Sequence, residues 1–373
     1  MNRTTSVYLD LVRFLAAFTI FIAHANYDRF TGGMPYSQYY FNLGNDAVMV
    51  FFVLSGFVIA YVANGKENTI DTYFISRFAR LYSVVLPALI LTVALDYFGS
   101  QIEFELYNGD WYETSYPVFR FLANLFFINE WWFLSIRPFS NGPFWSIGYE
   151  FWYYVLFALA FYLKKPSKYF LITLVCLLIG PSILLLMPIW LMGVLVFKIT
   201  STIEIPEKFG WLLLMLSTFG YLFYRIMGGQ EFVLEHTINV IGIEFYEKLH
   251  WSKFFTSSYI IGMFVSMNFI GFVAVSHRFE RIIALFSKPI RYFASYTFAL
   301  YLLHYPLLQY FSALTFNKET DETVPLIVIS ATLLSVWLLG AITEKQKHNY
   351  KHFFTYLWQK YKNWQRTHNT LEK

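Results

Sequence analysis

Arg13 and His24 stand eleven positions apart in the apolar stretch from Val7 to Ala25. On a helix turning about 100° per residue, eleven steps return to within about 20° of the starting face and climb about 16 Å. A cation and an imidazole are costly to hold inside a membrane helix, and together they read by default as the lining of a polar path. The plainer reading is one arginine anchoring at the headgroups and one hydrogen-bonded core histidine. Glu150 is a third group of this kind, about two turns into a segment that opens Gly142-Pro143-Phe144-Trp145-Ser146 and continues apolar and aromatic to Leu163. A carboxylate at that depth needs a partner. Pairing with His24 would orient the ring and fix its tautomer, whereas bonding to Trp, Tyr or backbone groups of a neighbouring loop is the alternative. Arg77 and Arg80, at helical i, i+3 spacing, offer planar guanidinium forks that suit phosphate oxygens, or else serve as a basic anchor at the membrane surface.

The elements that must position these groups are membrane helices. Of 373 residues 57% are hydrophobic, 22% aromatic and only 14% charged, with mean hydropathy +0.45. So few charges cannot cover a soluble surface of this size, and the pattern predicts an all-α polytopic membrane protein. Ten apolar runs are expected to cross: Val7 to Ala25, Ala47 to Val62, Leu81 to Tyr97, Phe144 to Leu163, Tyr169 to Gly180, Ile183 to Ile199, Trp211 to Met227, Phe254 to Val275, Phe293 to Phe311 and Val324 to Ile342. Most Lys and Arg then gather on one side, at Arg77/Arg80, Lys164/Lys165/Lys168, Arg278/Arg281/Lys288/Arg291 and from Lys345 onward. The positive-inside rule makes that side, and both termini, cytoplasmic. This sorting also accounts for the net charge of +4 better than a nucleic-acid partner does.

Phe119 to Ile136 is long enough to span, but Arg120, Asn124, Asn129, Glu130 and Trp131-Trp132 predict an interfacial or re-entrant segment. Phe14 to Ala25, ending in Ala23-His24-Ala25, imitates a secretory signal, yet Arg13 abuts it and further spans follow, which predicts an uncleaved helix. Residues 1–343 are expected to form the membrane domain and 344–373 a basic, amphipathic cytoplasmic tail. The loops Gly99 to Pro143 and Gly228 to Lys253, rich in aromatics and acids, could form a carbohydrate-binding mouth or pack at the interface. The single cysteine, Cys176, excludes an intrachain disulfide and lies in an apolar run. His236 and His250 lack ligand spacing, so no metal site is expected.

In this order and spacing, several elements resemble the integral-membrane acyltransferase 3 family, whose members typically O-acetylate cell-surface glycans using cytoplasmic acyl-CoA. They are Arg13 with His24, Phe51-Phe52-Val53-Leu54-Ser55-Gly56-Phe57, Arg77-Phe78-Ala79-Arg80, Trp145-Ser146 with Glu150, and Ser295-Tyr296 through Tyr301-Leu302-Leu303-His304-Tyr305-Pro306. The ordered set is specific although each piece alone is weak. The resemblance runs from Tyr8 to about Gly340 and implies a ten-span acyltransferase domain without the extracellular esterase-like domain that some members append. Ala47-Val48-Met49 replaces the Gly-Val-Asp of many relatives, so no role of that Asp is carried over.

O-acetylation needs a base for the sugar hydroxyl, stabilisation of a developing oxyanion, and a thioester within reach. His24 is the expected base, with Glu150 orienting it. The resemblance implies that Arg13 and His24 are a catalytically essential pair; Arg77 and Arg80 would hold CoA phosphates, with Arg13 also a deeper contact or a partner for Asp10. Trp145, Ser146, Ser55, Tyr301 and His304 would shape the acyl or acceptor pocket. Acetyl-CoA would be the co-substrate, and a surface glycan or lipid-linked oligosaccharide the acceptor, in the bacterial inner membrane, with lipids as neighbours and an oligomer conceivable. Either the pantetheine arm reaches His24, or His24 or His304 carries the acyl group covalently. A glycan transporter, a succinyl donor and a small-molecule acceptor are the competing readings.

Overall fold

The computed structural model describes residues 1–32, 37–109, 111–316 and 323–371, and every regular element among them is helical. Asp110, within the first large loop, and the last two residues of the tail lie outside the described residues. The helices are α1 (Arg3–Ala25), α2 (Asp28–Thr31), α3 (Ser37–Gly65), α4 (Ile70–Ile102), α5 (Pro117–Leu125), α6 (Trp145–Tyr162), α7 (Ser167–Ile179), α8 (Pro181–Thr202), α9 (Glu207–Ile226), α10 (Gly229–Ile241), α11 (Ile243–Lys248), α12 (Phe255–Val275), α13 (Glu280–Ala294), α14 (Thr297–Thr315), α15 (Val324–Ile342) and α16 (Lys347–Leu371).

Among the described residues, seven helices are long and apolar enough to cross a membrane. They start at Arg3, Leu43, Ile70, Pro181, Glu207, Phe255 and Val324, and correspond to seven of the ten expected runs. The chain is a multi-pass helical membrane protein. The three runs that miss this standard are α6, α7 and α14, for two different reasons. α7 has 13 residues, about 20 Å of helix against an apolar core of about 30 Å. α6 and α14 are long enough, but they are enclosed by other helices. Every residue from Ala299 to Gln309 in α14 is buried, because the helix packs among α1, α4 and α15. A helix with no lipid-facing side can carry His304, Gln309, Ser312 and several tyrosines, which lowers its hydropathy. α14 also begins at Thr297, where the sequence pattern placed the start at Phe293: the chain breaks at Ser295-Tyr296, separating it from α13.

Local chemistry sets the ends of these helices. The Asn2 side chain accepts from Thr5 N (2.8 Å), capping α1, and its amide donates to Ser276 Oγ (3.0 Å) beyond α12. Thr69 and Thr72 form a reciprocal capping box on α4. α3 and α8 touch backbone to backbone. A Cβ on Gly56 would lie 1.9 Å from the Trp190 carbonyl oxygen, and one on Gly193 would lie 1.9 Å from that of Val53. Small residues permit this approach between membrane helices.

The Phe119 to Ile136 segment holds no spanning helix. α5 ends at Leu125 after nine residues, and the chain then folds inward with Asn129, Glu130, Ser140 and Asn141 buried. Asp96 of α4 pins this inward loop, accepting from Ser140 N (2.9 Å) and Oγ (2.7 Å). Asn141 donates to the Leu302 carbonyl of α14 (2.9 Å). The start of α6 is thereby fixed against α14. In the tail, α16 lies along α4: Phe354 meets Phe78 and Tyr82, and Lys362 pairs with Asp71 (2.6 Å).

Candidate active site

His24 and Arg13 project from one face of α1 into a series of three cavities. At the end of the bundle where the chain begins, a terminal cavity of about 640 Å³ is lined by Asp10, Arg13, Arg80, Arg291, Glu344, Lys347 and Lys351, with serines between them. Arg13 and Arg80 also line a middle cavity of about 50 Å³, with Phe51, Ser55, Ser146, Glu150, Tyr154 and Tyr301. Val48 and Tyr301 are shared in turn with a loop-end cavity of about 510 Å³, which holds His24, Tyr27, Asp28, Arg29, Trp111, Arg137, Trp145, Trp251 and Tyr305. The shared residues place the cavities in sequence. A polar route thus follows the Arg13/His24 face of α1.

His24 Nδ1 lies 2.9 Å from His304 Nε2, and His304 Nδ1 lies 2.7 Å from the Leu300 carbonyl one turn back on α14. A carbonyl only accepts, so His304 Nδ1 carries a proton and, in a neutral ring, Nε2 is an acceptor. His24 Nδ1 must then be the donor, which leaves the lone pair on His24 Nε2. His304, fully buried, therefore fixes the tautomer of His24. The rings of Phe21, Tyr27 and Tyr305 pack edge-on around the pair, so its geometry is preset.

Glu150 does not contact His24. Its Oε1 accepts from Ser55 Oγ (2.6 Å) and from the Tyr154 hydroxyl one turn along α6. The rotation of α6 aims the carboxylate into the middle cavity, and His24 takes its partner from α14 instead. Ser55 also accepts from Trp190 Nε1 (3.1 Å), a contact that the Gly56/Gly193 crossing makes possible. Tyr301 donates to the Pro143 carbonyl (3.0 Å), so Ser146, 2.7 Å away, donates to the Tyr301 oxygen. Trp145 stacks on Trp251 at 5.4 Å with 3° between the planes.

The two arginines of the Arg-x-x-Arg element part company. Arg80 faces the terminal and middle cavities. Arg77 does not line them. It is buried in an ion pair with Glu67 (2.7 Å), over the rings of Tyr73 and Tyr154. Positions three apart differ by about 60° around a helix, enough to send one side chain to the cavity and the other to the α3–α4 turn. The expected phosphate contact at Arg77 is replaced by this internal pair. Arg13 is 3.4 Å from Asp10.

The family model described as an acyltransferase domain matches residues 6–344. The chain belongs to the acyltransferase 3 family. Two curated relatives are similar over part of their length. "Acyltransferase MdmB" of Streptomyces mycarofaciens is 29% identical over 158 residues, 41% of this chain and 38% of that protein. "Protein 2 in picA locus" of Rhizobium radiobacter is 41% identical over 92 residues, 24% of this chain and 44% of that protein. The chain thus aligns with less than half the length of each. No solved structure matches it.

The acyltransferase 3 elements that the sequence displays converge on the three cavities, except that Arg77 is turned away and His304, fully buried, lines none of them and acts through His24. Sequence reasoning gave no site role to Arg291, Lys347 and Lys351 at the terminal end or to Arg29, Trp111, Arg137 and Trp251 at the loop end, and named Tyr305 only within the Tyr301-to-Pro306 element. Apart from Tyr305, their signal was residence in basic or aromatic stretches, which does not single out individual positions.

Proposed function

We propose that the protein transfers an acyl group, acetyl in the simplest case, from acyl-CoA to a hydroxyl of a cell-surface polysaccharide or its lipid-linked precursor, across the bacterial inner membrane. The basic sorting of the loops supports ten spans, counting the enclosed α6 and α14 and the short α7, with both termini cytoplasmic. The terminal cavity then opens to the cytoplasm. Its five cations against two carboxylates suit the phosphates of CoA. The name of the Streptomyces relative, an acyltransferase, agrees with the class of reaction.

The observation that carries the reading is the His24–His304 pair at the far end of a route that starts between Arg13 and Arg80. The free Nε2 of His24 takes the proton of the acceptor hydroxyl as its oxygen attacks the thioester carbonyl. The tetrahedral intermediate collapses with cleavage of the C–S bond, and the His24 imidazolium returns the proton to the departing thiolate. His304, holding Nδ1–H, balances the ring as it charges. The middle cavity, about 50 Å³, is roughly a tenth the size of those at either end. That suits a slender arm entering from one side and opposes passage of a sugar, so transport is the weaker reading.

The test is incubation of purified protein with radiolabelled acetyl-CoA and a membrane extract containing acceptor. Label transfer and CoA release abolished by His24→Ala support the enzyme, and unchanged turnover in that variant refutes the role given to His24.

A further inference from the structure

The loop-end cavity contains two guanidiniums that the acyl-transfer chemistry does not use. Arg29 sits 3.7 Å from the ring centre of Trp111 and donates to the Tyr305 hydroxyl, while its Nε is buried without a hydrogen-bond partner. Arg137 sits 5.1 Å from the ring of Trp251 and donates to the Trp111 carbonyl (3.3 Å). Neither forms an ion pair among the described residues, whereas Arg13, Arg77, Arg120 and Arg225 each do. Among the described residues Asp28 is the one carboxylate lining the cavity, which leaves a positive charge over in that lining.

Stacking on an indole holds a guanidinium plane in place and keeps its N–H edge available for planar, bidentate recognition of carboxylate or phosphate. Two cations without an ion pair among the described residues, on the wall that also presents His24 and with buried Glu130 acting on Arg137 only through space, favour a ligand that brings negative charge. The stacked Trp145 and Trp251 offer aromatic surface beside them.

We infer that the loop-end cavity selects an acceptor saccharide bearing an anionic group, a uronic-acid carboxylate or a phosphate ester, and that Arg29 and Arg137 determine this specificity. The inference rests on the reading that the acceptor enters beside His24.

The test is protection of His24 from carbethoxylation by diethyl pyrocarbonate, followed by mass spectrometry on the full-length protein in nanodiscs. Three probes share one hexose frame: glucuronate, glucose 1-phosphate and neutral methyl glucoside. Expected is slower modification with a charged probe than with methyl glucoside, an advantage that shrinks as salt is raised. Protection by glucuronate alone names a carboxylate acceptor, and protection by glucose 1-phosphate alone names a phosphate. Arg29→Gln and Arg137→Gln should each raise the half-protecting concentration about tenfold or more. Arg29→Lys and Arg137→Lys, which keep the charge, should retain the preference and so separate lost charge from lost fold. Equal protection by all three probes, protection by none, or a charge preference surviving in the double Gln variant overturns the inference. Protection needs no turnover. Charge-selective protection without CoA release therefore rejects the enzyme and keeps the site, while CoA release without selective protection does the reverse.

Discussion

Replacing His304 separates a tautomer-fixing role from a covalent one. In His304→Ala, the His24 Nδ1–H loses its acceptor at 2.9 Å, inside an aromatic enclosure. An unsatisfied buried donor costs about 1–3 kcal/mol, or roughly 5- to 150-fold in rate if the cost falls on the productive tautomer. Removing the base itself, His24→Ala, should cost on the order of 10²–10⁴. Amides refine the test: Gln reaches with its oxygen about where Nε2 stands, whereas Asn reaches only to about Nδ1. His304→Gln should therefore keep much of the activity, and His304→Asn, which restores only the bond to the Leu300 carbonyl, should fall with Ala. The assay is CoA release from labelled acetyl-CoA at saturating donor, with melting curves to exclude unfolding. Two results refute the reasoning. A loss in His304→Gln as deep as in His24→Ala would make His304 an acyl carrier, and wild-type rates in His304→Ala would leave the pair without function.

Other expectations follow from the same contacts. Glu150→Gln, which bonds Ser55 and Tyr154 and not His24, should leave the midpoint of the pH–rate profile where it is, and a displaced midpoint would mean that the carboxylate reaches the imidazole after all. Arg77→Ala and Glu67→Ala should each lower thermal stability by about 3–5 kcal/mol, because each strands the other's buried charge, while Arg80→Ala should raise KM for acyl-CoA with little change in melting; the opposite pattern would restore Arg77 to the donor site. Gly56→Ala should lower stability by about 1–3 kcal/mol, read from melting curves, since its Cβ meets backbone that cannot step aside. Tyr301→Ala, which removes the ring shared by the middle and loop-end cavities, should raise hydrolysis of acyl-CoA relative to transfer, and an unchanged ratio would show that the ring does not seal the path.

Spacing alone placed Arg13 and His24 on one face of α1, because a single helix fixes the angle between its own residues. The partner of His24 was not legible in the same way. Depth can be counted along each span, and it made Glu150 and His24 look compatible, but whether two helices turn those residues toward each other depends on rotation about each axis. Packing sets that rotation, and it gave the contact to His304. The divergence of Arg77 and Arg80 has the same origin, since the motif specifies spacing while Glu67, ten residues earlier, decides which arginine is consumed internally. The apolar runs located α6 and α14 along with the more apolar spans, and their polar residues are tolerated because protein surrounds them.

Those enclosed helices explain how a polar route can cross an apolar bundle without becoming a channel. The cavities at the two ends are about 640 and 510 Å³, and the one between them is about 50 Å³. The narrowing is made of side chains, chiefly Phe51, Phe298 and Tyr301, on helices whose backbones are held by the Gly56/Gly193 crossing and the Asn141–Leu302 bond. Aromatic rings on a rigid frame move by rotamer change, so under the proposed function a slender acyl arm would displace them while the backbone stays in place. Several polar groups at the narrowing bond one another, Ser55 and Tyr154 with Glu150, and Ser146 with Tyr301, while Arg80 faces it without an ion pair among the described residues. Whatever opens the constriction must compensate for the contacts it breaks, and under the proposed function the arriving acyl arm, drawn by Arg80, is what does so.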